Sequence, residues 1–256
     1  FWNGPWSIPI AALVDRPYSE EDLQATLKTV RQQIAEGNYP HPLDQDVAEL
    51  ESELMAIFDD FIWAPGRIVW DDPESIRQEG ATSQMAEGLL RRLDRLEDEL
   101  LIESAYFVPR DPGVTKLEDL HEEGVRIRVL TNSLASNDVL AAHAGYSERR
   151  DKLIAGGVEL HELRPYPGPV DKNIVIGSSK AALHTKAIVF DREDVFIGSL
   201  NLDPRSLVIN TEAGLDVESP ELAAQVIAYM DEGVQPENSF RVPLHEDGEL
   251  YRVTAS

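Results

Sequence analysis

Within residues 183–201, His184, Lys186, Asp191, Gly198, Ser199 and Asn201 stand in the pattern H-x-K, four residues, D, six residues, G-S-x-N. Six fixed positions at average residue frequencies of roughly 5% do not coincide by chance. Side chains on a strand alternate, so His184 and Lys186 share a face. Ile188 continues that face inward, while Thr185 and Ala187 point the other way. A second strand over 194–199 brings Ser199 and Asn201 back beside them, and Gly198 admits a ligand or a neighbouring backbone. An imidazole, an ammonium, a hydroxyl and a carboxamide then converge, a set that suits a phosphodiester. Lys186, Ser199 and Asn201 can bind non-bridging oxygens and stabilise developing charge. His184 can act as nucleophile or as general acid and base near neutral pH. Asp191 reads as structural, holding the turn after the first strand.

This pattern resembles the signature of the phospholipase D superfamily. The resemblance implies an active site built from two such motifs. One histidine attacks phosphorus to give a phosphohistidine, and the other protonates the leaving alcohol. No cofactor or metal is implied. A glutamate after the motif orients the histidine in that family, and Glu212 matches it. The other five histidines (His41, His121, His143, His161, His245) lack a lysine two residues on, so the chain holds one motif. The second is expected from an identical chain or from sequence upstream of Phe1, an expectation to which the absence of an initial Met adds. A longer likeness favours the upstream half. Residues 103–109 (Glu-Ser-Ala-Tyr-Phe-Val-Pro), 124–134, 143–146 (His-Ala-Gly-Tyr), 157–160 and 201–206 (Asn-Leu-Asp-Pro-Arg-Ser) are similar to the C-terminal half of bacterial cardiolipin synthases. The likeness covers roughly 67–250, and Ala105 departs from the proline usual there. It implies phosphatidyl transfer between phospholipids, with phosphatidylglycerol or a similar donor and a cytoplasmic protein peripheral to the inner membrane. The alternatives are a single-motif homodimeric phosphodiesterase or nuclease, or a phosphate-binding fragment inactive on its own.

Several residues have two readings. His143 and Tyr146 either line the lipid or head-group site or pack a helix start. Ser199 and Asn201 could instead cap turns, and Glu212 could form an ordinary salt bridge. Asn132, Ser133, Asn137 and Asp138 read as loop hydrogen-bonders. Asp203-Pro204 reads as an N-cap followed by Pro at the first helical position. Arg205 reads as an ion-pair residue, and Arg91-Arg92 and Arg149-Arg150 as solvated helix faces.

The elements that must position these residues follow from periodicity. Leu23, Leu27, Val30 and Ile34 recur at helical spacing over 20–36, behind Ser19 as N-cap, and a second helix is expected over 44–61. From residue 67 strands and helices alternate. Strands are expected at 67–70, 100–108, 125–130, 158–163, 183–190, 194–199 and, weakly, 240–244. Helices are expected at 84–98, 116–123, 145–155 and 220–232, with a Pro/Gly/Ser-rich loop over 164–181. The reading is an α/β phospholipase D-like domain over 67–256, a mixed, largely parallel sheet flanked by helices on both faces. Residues 1–66 form a helical segment, a remainder or linker from another half. The chain has 256 residues, 23 basic and 47 acidic, a net −24, and 42% apolar content. That supports a core and excludes nucleic-acid binding as a main role, because the field repels a polyanion. Without cysteine there are no disulfides or thiolate sites. No apolar run reaches the 18 residues a membrane helix needs. The acid excess also sits poorly with anionic lipids, so either high salt or basic segments elsewhere must offset it.

Overall fold

The computed structural model describes residues 19–36, 52, 55, 58, 61–76, 83–137, 139–166 and 182–243. The chain divides into two compact units, Phe1–Phe61 and Ile62–Ser256. In the first, helix α1 (Glu20–Glu36) carries Glu20, Glu21 and Asp22 in its first turn. Ser19 caps it, its hydroxyl accepting from the Asp22 N–H at 3.1 Å. Of the helix expected over 44–61, residues 52, 55 and 58 are helical and the rest lies outside the described residues.

The second unit is built on strands β1 (Gly66–Trp70), β2 (Glu99–Ser104), β3 (Arg126–Asn132), β4 (Glu159–Leu163), β5 (Lys186–Phe190), β6 (Asp194–Gly198), β7 (Ala213–Glu218) and β8 (Ser239–Arg241). Its helices are α2 (Pro73–Ile76), α3 (Gln84–Leu93), α4 (Asp111–Glu122), α5 (Leu140–Ser147), α6 (Arg150–Ala155), α7 (Pro204–Val208) and α8 (Pro220–Gly233). The eight strands form one mixed sheet in the order β1-β7-β6-β5-β2-β3-β4-β8. The parallel part is its centre, β2–β3–β4, where α4 and then α5–α6 cross over between strands. The remaining pairings are antiparallel. Gly124 and Gly157, both at positive φ, end the two crossovers.

Helices cover both faces. On one, Leu100, Ile102, Ile127, Val129, Leu160, Ile188 and Phe190 pack with Val114, Leu117 and Leu120 of α4 and Leu153 of α6. On the other, Leu101, Ala187, Val189 and Val195 pack with Ala223, Ile227 and Met230 of α8. The alternation along β5 is therefore buried on both faces, as a central strand requires.

Four differences from the sequence reading have physical causes. β7 was not expected, because its inward residues are Gly214 and Asp216 and not aliphatics. The Asp216 carboxylate is held by Arg92, with Arg67 2.8 Å away. Arg92 is consequently not a solvated residue but an anchor of α3 on β6 and β7, with its guanidinium 5.0 Å from the Phe190 ring centroid. Arg150 is likewise drawn inward, 2.9 Å from Glu162. The helix expected over 145–155 begins at Leu140 and is divided between α5 and α6. Most of the 164–181 loop lies outside the described residues.

Candidate active site at the carboxyl edge of the sheet

Five of the six motif residues, His184, Lys186, Gly198, Ser199 and Asn201, gather at one edge, where β2, β3 and β6 end and β5 and β7 begin. This is where open α/β sheets bind ligands. The β5–β6 hairpin brings them together. Asp191 and Arg192 both take positive φ (49° and 60°), and the Glu193 N–H donates to the Phe190 carbonyl at 3.0 Å. This is a type I′ turn, whose twist matches the strands it joins. Asp191 also ties the hairpin to β2. Its carboxylate accepts from the N–H groups of Glu97 (3.0 Å), Asp98 (2.7 Å) and Glu99 (2.9 Å). All of these bonds lie at the end of β5 opposite His184.

At the working edge, Lys186 pairs with Ser104 of β2. The register Ala187↔Ile197 continues to place Lys186 across from Gly198. Lys186 is buried, and its Nζ donates to the His184 carbonyl at 2.6 Å. The ammonium thus fixes the backbone that carries the imidazole. His184 itself is exposed, and its ring makes no hydrogen bond among the described residues.

Gly198 serves the backbone option. A Cβ there would lie 2.6 Å from the Ala213 carbonyl oxygen and 2.8 Å from Gly214 Cα. Its absence lets β6 and β7 approach and seats the Phe196 ring over both glycines. Ser199 follows, and its hydroxyl donates to Glu212 Oε2 at 2.5 Å while accepting from the Ala213 N–H at 3.0 Å. Glu212 is buried. Its second oxygen accepts from Asn210 Nδ2 at 3.1 Å. The backbone of Glu212 is gripped by Asp71: the Glu212 N–H donates to Asp71 Oδ2 (3.1 Å), and the Asp71 N–H donates to the Glu212 carbonyl (2.9 Å). The Glu212 carboxylate therefore sits with Ser199 and Asn210, not in hydrogen-bond contact with the His184 ring. Asn201 is buried and accepts from the Tyr106 N–H at 3.4 Å, which leaves its NH2 end without a described partner. Ser104 adds a further tie, accepting from the Leu202 N–H at 3.2 Å.

His143 and Tyr146 lie on α5, both buried, with ring centroids 5.7 Å apart. The Tyr146 hydroxyl donates to Glu162 at 3.0 Å. Burial, with the Glu162 carboxylate adding to it, pushes the phenol well above its usual value, and burial lowers the His143 imidazole. Ser133 and Asn137 bond locally, Ser133 with Ser136 and Asn137 by accepting from the Val139 N–H, while Asp138 lies outside the described residues. Asp203 caps α7, accepting from the Arg205 and Ser206 N–H groups. Arg205 reaches Asn210 and, among the described residues, no carboxylate. Sequence reasoning missed Asp71, which reads as a strand terminator, and Asn132, discussed below. A cleft of about 1010 Å³ between α3 and the β1–β7–β6 end, lined by Trp70, Arg92, Phe196 and Asp216, does not include His184. In its wall Arg67 and Arg92 are both paired with Asp216.

Comparison with known proteins shows the family. Residues 89–233 match the family model described as "Cardiolipin synthase, PLD-like domain". The chain belongs to the phospholipase D-like family. Cardiolipin synthase C of Escherichia coli (strain K12) is 42% identical over 168 residues, covering 63% of this chain and 35% of that protein. An uncharacterized protein of Helicobacter pylori (strain J99) is 27% identical over 241 residues, 93% of this chain and 43% of its own. The chain thus spans less than half the length of these relatives. Among solved structures, the phospholipase D family member Nuc of Salmonella typhimurium superposes with a TM-score of 0.50 at 15% identity, over 70% of this chain and 99% of that one. The phosphatidylserine synthase of Haemophilus influenzae gives 0.50 at 14% identity, over 89% and 48%. These two establish the shared fold.

Proposed function

We propose that this chain supplies one half of a phosphatidyltransferase site of the cardiolipin synthase type, with His184 as its reacting group. The supporting observation is the contrast at the motif. The His184 ring is exposed and makes no hydrogen bond among the described residues, while Lys186, Ser199, Asn201 and Glu212 at the same edge are held by hydrogen bonds. A preorganised polar set near an accessible base is what phosphoryl chemistry requires.

In this reading a histidine nitrogen lone pair attacks the phosphorus of the donor lipid. An N–P bond forms as the P–O bond to the head-group alcohol breaks. The partner histidine delivers its proton to the departing oxygen. That same imidazole, now neutral, takes the proton of the acceptor alcohol, whose oxygen attacks phosphorus and releases the first histidine. Two histidines are needed, since one cannot be phosphorylated and hold the proton at once. The chain's single motif supplies His184, as acid and base in the family pattern. The other comes from a second motif in the same protein or in a second copy. Residues 67–256 constitute this catalytic half, and residues 1–66 a linking segment. Phosphatidylglycerol or a similar lipid is the donor, and the protein works from the cytoplasmic face of a membrane. Among the described residues no helix is long and apolar enough to cross one.

The test is reconstitution of the full natural protein with phosphatidylglycerol vesicles, reading cardiolipin and released glycerol. Wild type is expected to form both in equal amounts, and His184→Ala to lose on the order of a thousandfold or more in rate. Cardiolipin formation at the wild-type rate by the variant would overturn the reading.

A further inference from the structure

Asn132 ends β3, and β2 separates β3 from β5 in the sheet. Its side chain nevertheless bonds across to the segment that carries the motif. Nδ2 donates to the Ala105 carbonyl and to the Leu183 carbonyl, both at 3.0 Å. Oδ1 accepts from the Leu183 N–H at 2.8 Å. Two carbonyls face the NH2 end and one N–H faces the oxygen, so the amide orientation is fixed by its surroundings. Asn132 is 2% exposed and Leu183 is 5% exposed, so water does not substitute for these bonds.

The reason for the bridge lies in β2. Its pairing with β5 stops at Ser104↔Lys186. Beyond that point β2 turns away: the Tyr106 N–H meets Asn201, and Phe107 forms a bridge with Leu202. Residues 182–185 are thereby left without a strand beside them, although His184 lies among them. A carboxamide carries the same donor and acceptor as a peptide group. Asn132 presents both to Leu183, in the manner of a neighbouring strand, at the residue immediately before His184. Lys186 grips the His184 carbonyl from the other side. The two contacts bracket the imidazole-bearing residue.

We propose that Asn132 is a positioning residue for the phosphodiester reaction, setting the backbone from which His184 projects. This inference rests on His184 being the reacting group. A misplacement of about 1 Å at a reacting group can cost about 100-fold in rate.

The experiment uses the full natural protein with Asn132→Ala. It reads kcat and KM on two substrates, phosphatidylglycerol vesicles and bis(p-nitrophenyl) phosphate, together with amide hydrogen exchange. The expected result is a kcat loss of about 100-fold with KM within about threefold on a substrate that wild type turns over. Exchange at Leu183 should accelerate while protection in β2 and β3 is retained. Asn132→Asp keeps the acceptor for the Leu183 N–H but sets an acceptor oxygen against the Ala105 and Leu183 carbonyls, so its kcat should fall at least as far as that of Asn132→Ala. A faster-exchanging Leu183 with kcat unchanged would overturn the inference. So would a rate loss accompanied by collapse of protection throughout β2 and β3, which marks a purely structural role, or an Asp variant with the wild-type kcat. Wild type that cleaves the diester but makes no cardiolipin would overturn the lipid reading alone, and the diester rates would still decide the role of Asn132.

Discussion

Among the residues, His184 and Glu103 illustrate how differently two ionisable groups can be placed a few positions from the same edge. His184 stands exposed, its ring without a hydrogen bond among the described residues. Glu103, on β2 and facing α8, is 2% exposed. Burial raises its carboxyl to about 7, with Arg128 pulling the other way. The group binds its proton more tightly folded than unfolded, so its contribution to stability is complete below about pH 4.5 and is lost as pH rises toward 7. His161 has the opposite sign. Burial and the neighbouring Arg128 and Arg241 lower it to about 4, so its contribution is present above its unfolded value near 6.5 and is lost as pH falls toward 4. The two oppose each other in one window. Glu103→Gln removes the first, and its stability relative to wild type should rise by about 3 kcal/mol between pH 4.5 and 7. Denaturant melts at several pH values measure this; a difference independent of pH would contradict the assignment. The motif residues were legible in the sequence because their types and spacing are unusual. Asn132 was not, because an asparagine after a strand reads as a turn former, and only the departure of β2 from the sheet shows what it bridges.

At the scale of elements, the hydrophobic alternation of β2, β3, β4 and β5 and the core face of α8 carried enough signal to be read directly. β7 did not, since Gly214 and Asp216 occupy its inward positions, and Asp216 becomes tolerable only against Arg92 and Arg67. The side on which α3 packs follows from the same ion pairs. The β6–β7 contact depends on glycine for space. Gly198→Ala would drive a methyl group into the Ala213 carbonyl oxygen and Gly214 Cα, both backbone atoms that cannot rotate away. The expected cost is about 1–3 kcal/mol of stability, measured by chemical denaturation. Activity should fall with it, because Ser199 and Asn201 follow directly on this strand. A variant of wild-type stability would show that the two strands can separate without loss.

For the whole molecule, the net charge of −24 governs how it meets a surface. The basic residues Arg67, Arg92, Arg126 and Arg128 are each paired with a carboxylate and leave that charge little local relief. The 256-residue chain should bind anionic vesicles more weakly than neutral ones. The gap should close as salt is raised from about 0.1 M to 1 M, where the screening length shrinks to about 3 Å. Co-sedimentation at both salt levels measures this, and tighter binding to anionic vesicles at low salt would reveal a basic contact surface. His184 and His143 differ in exposure. His184 is exposed behind a clamped backbone, and His143 is buried against Tyr146. The most direct measurement is phosphodiester turnover by the full protein carrying His184→Ala, set beside His143→Ala. The account predicts a loss on the order of a thousandfold or more for the first and no more than about tenfold for the second. Undiminished turnover by His184→Ala, or equal losses in both, would contradict it.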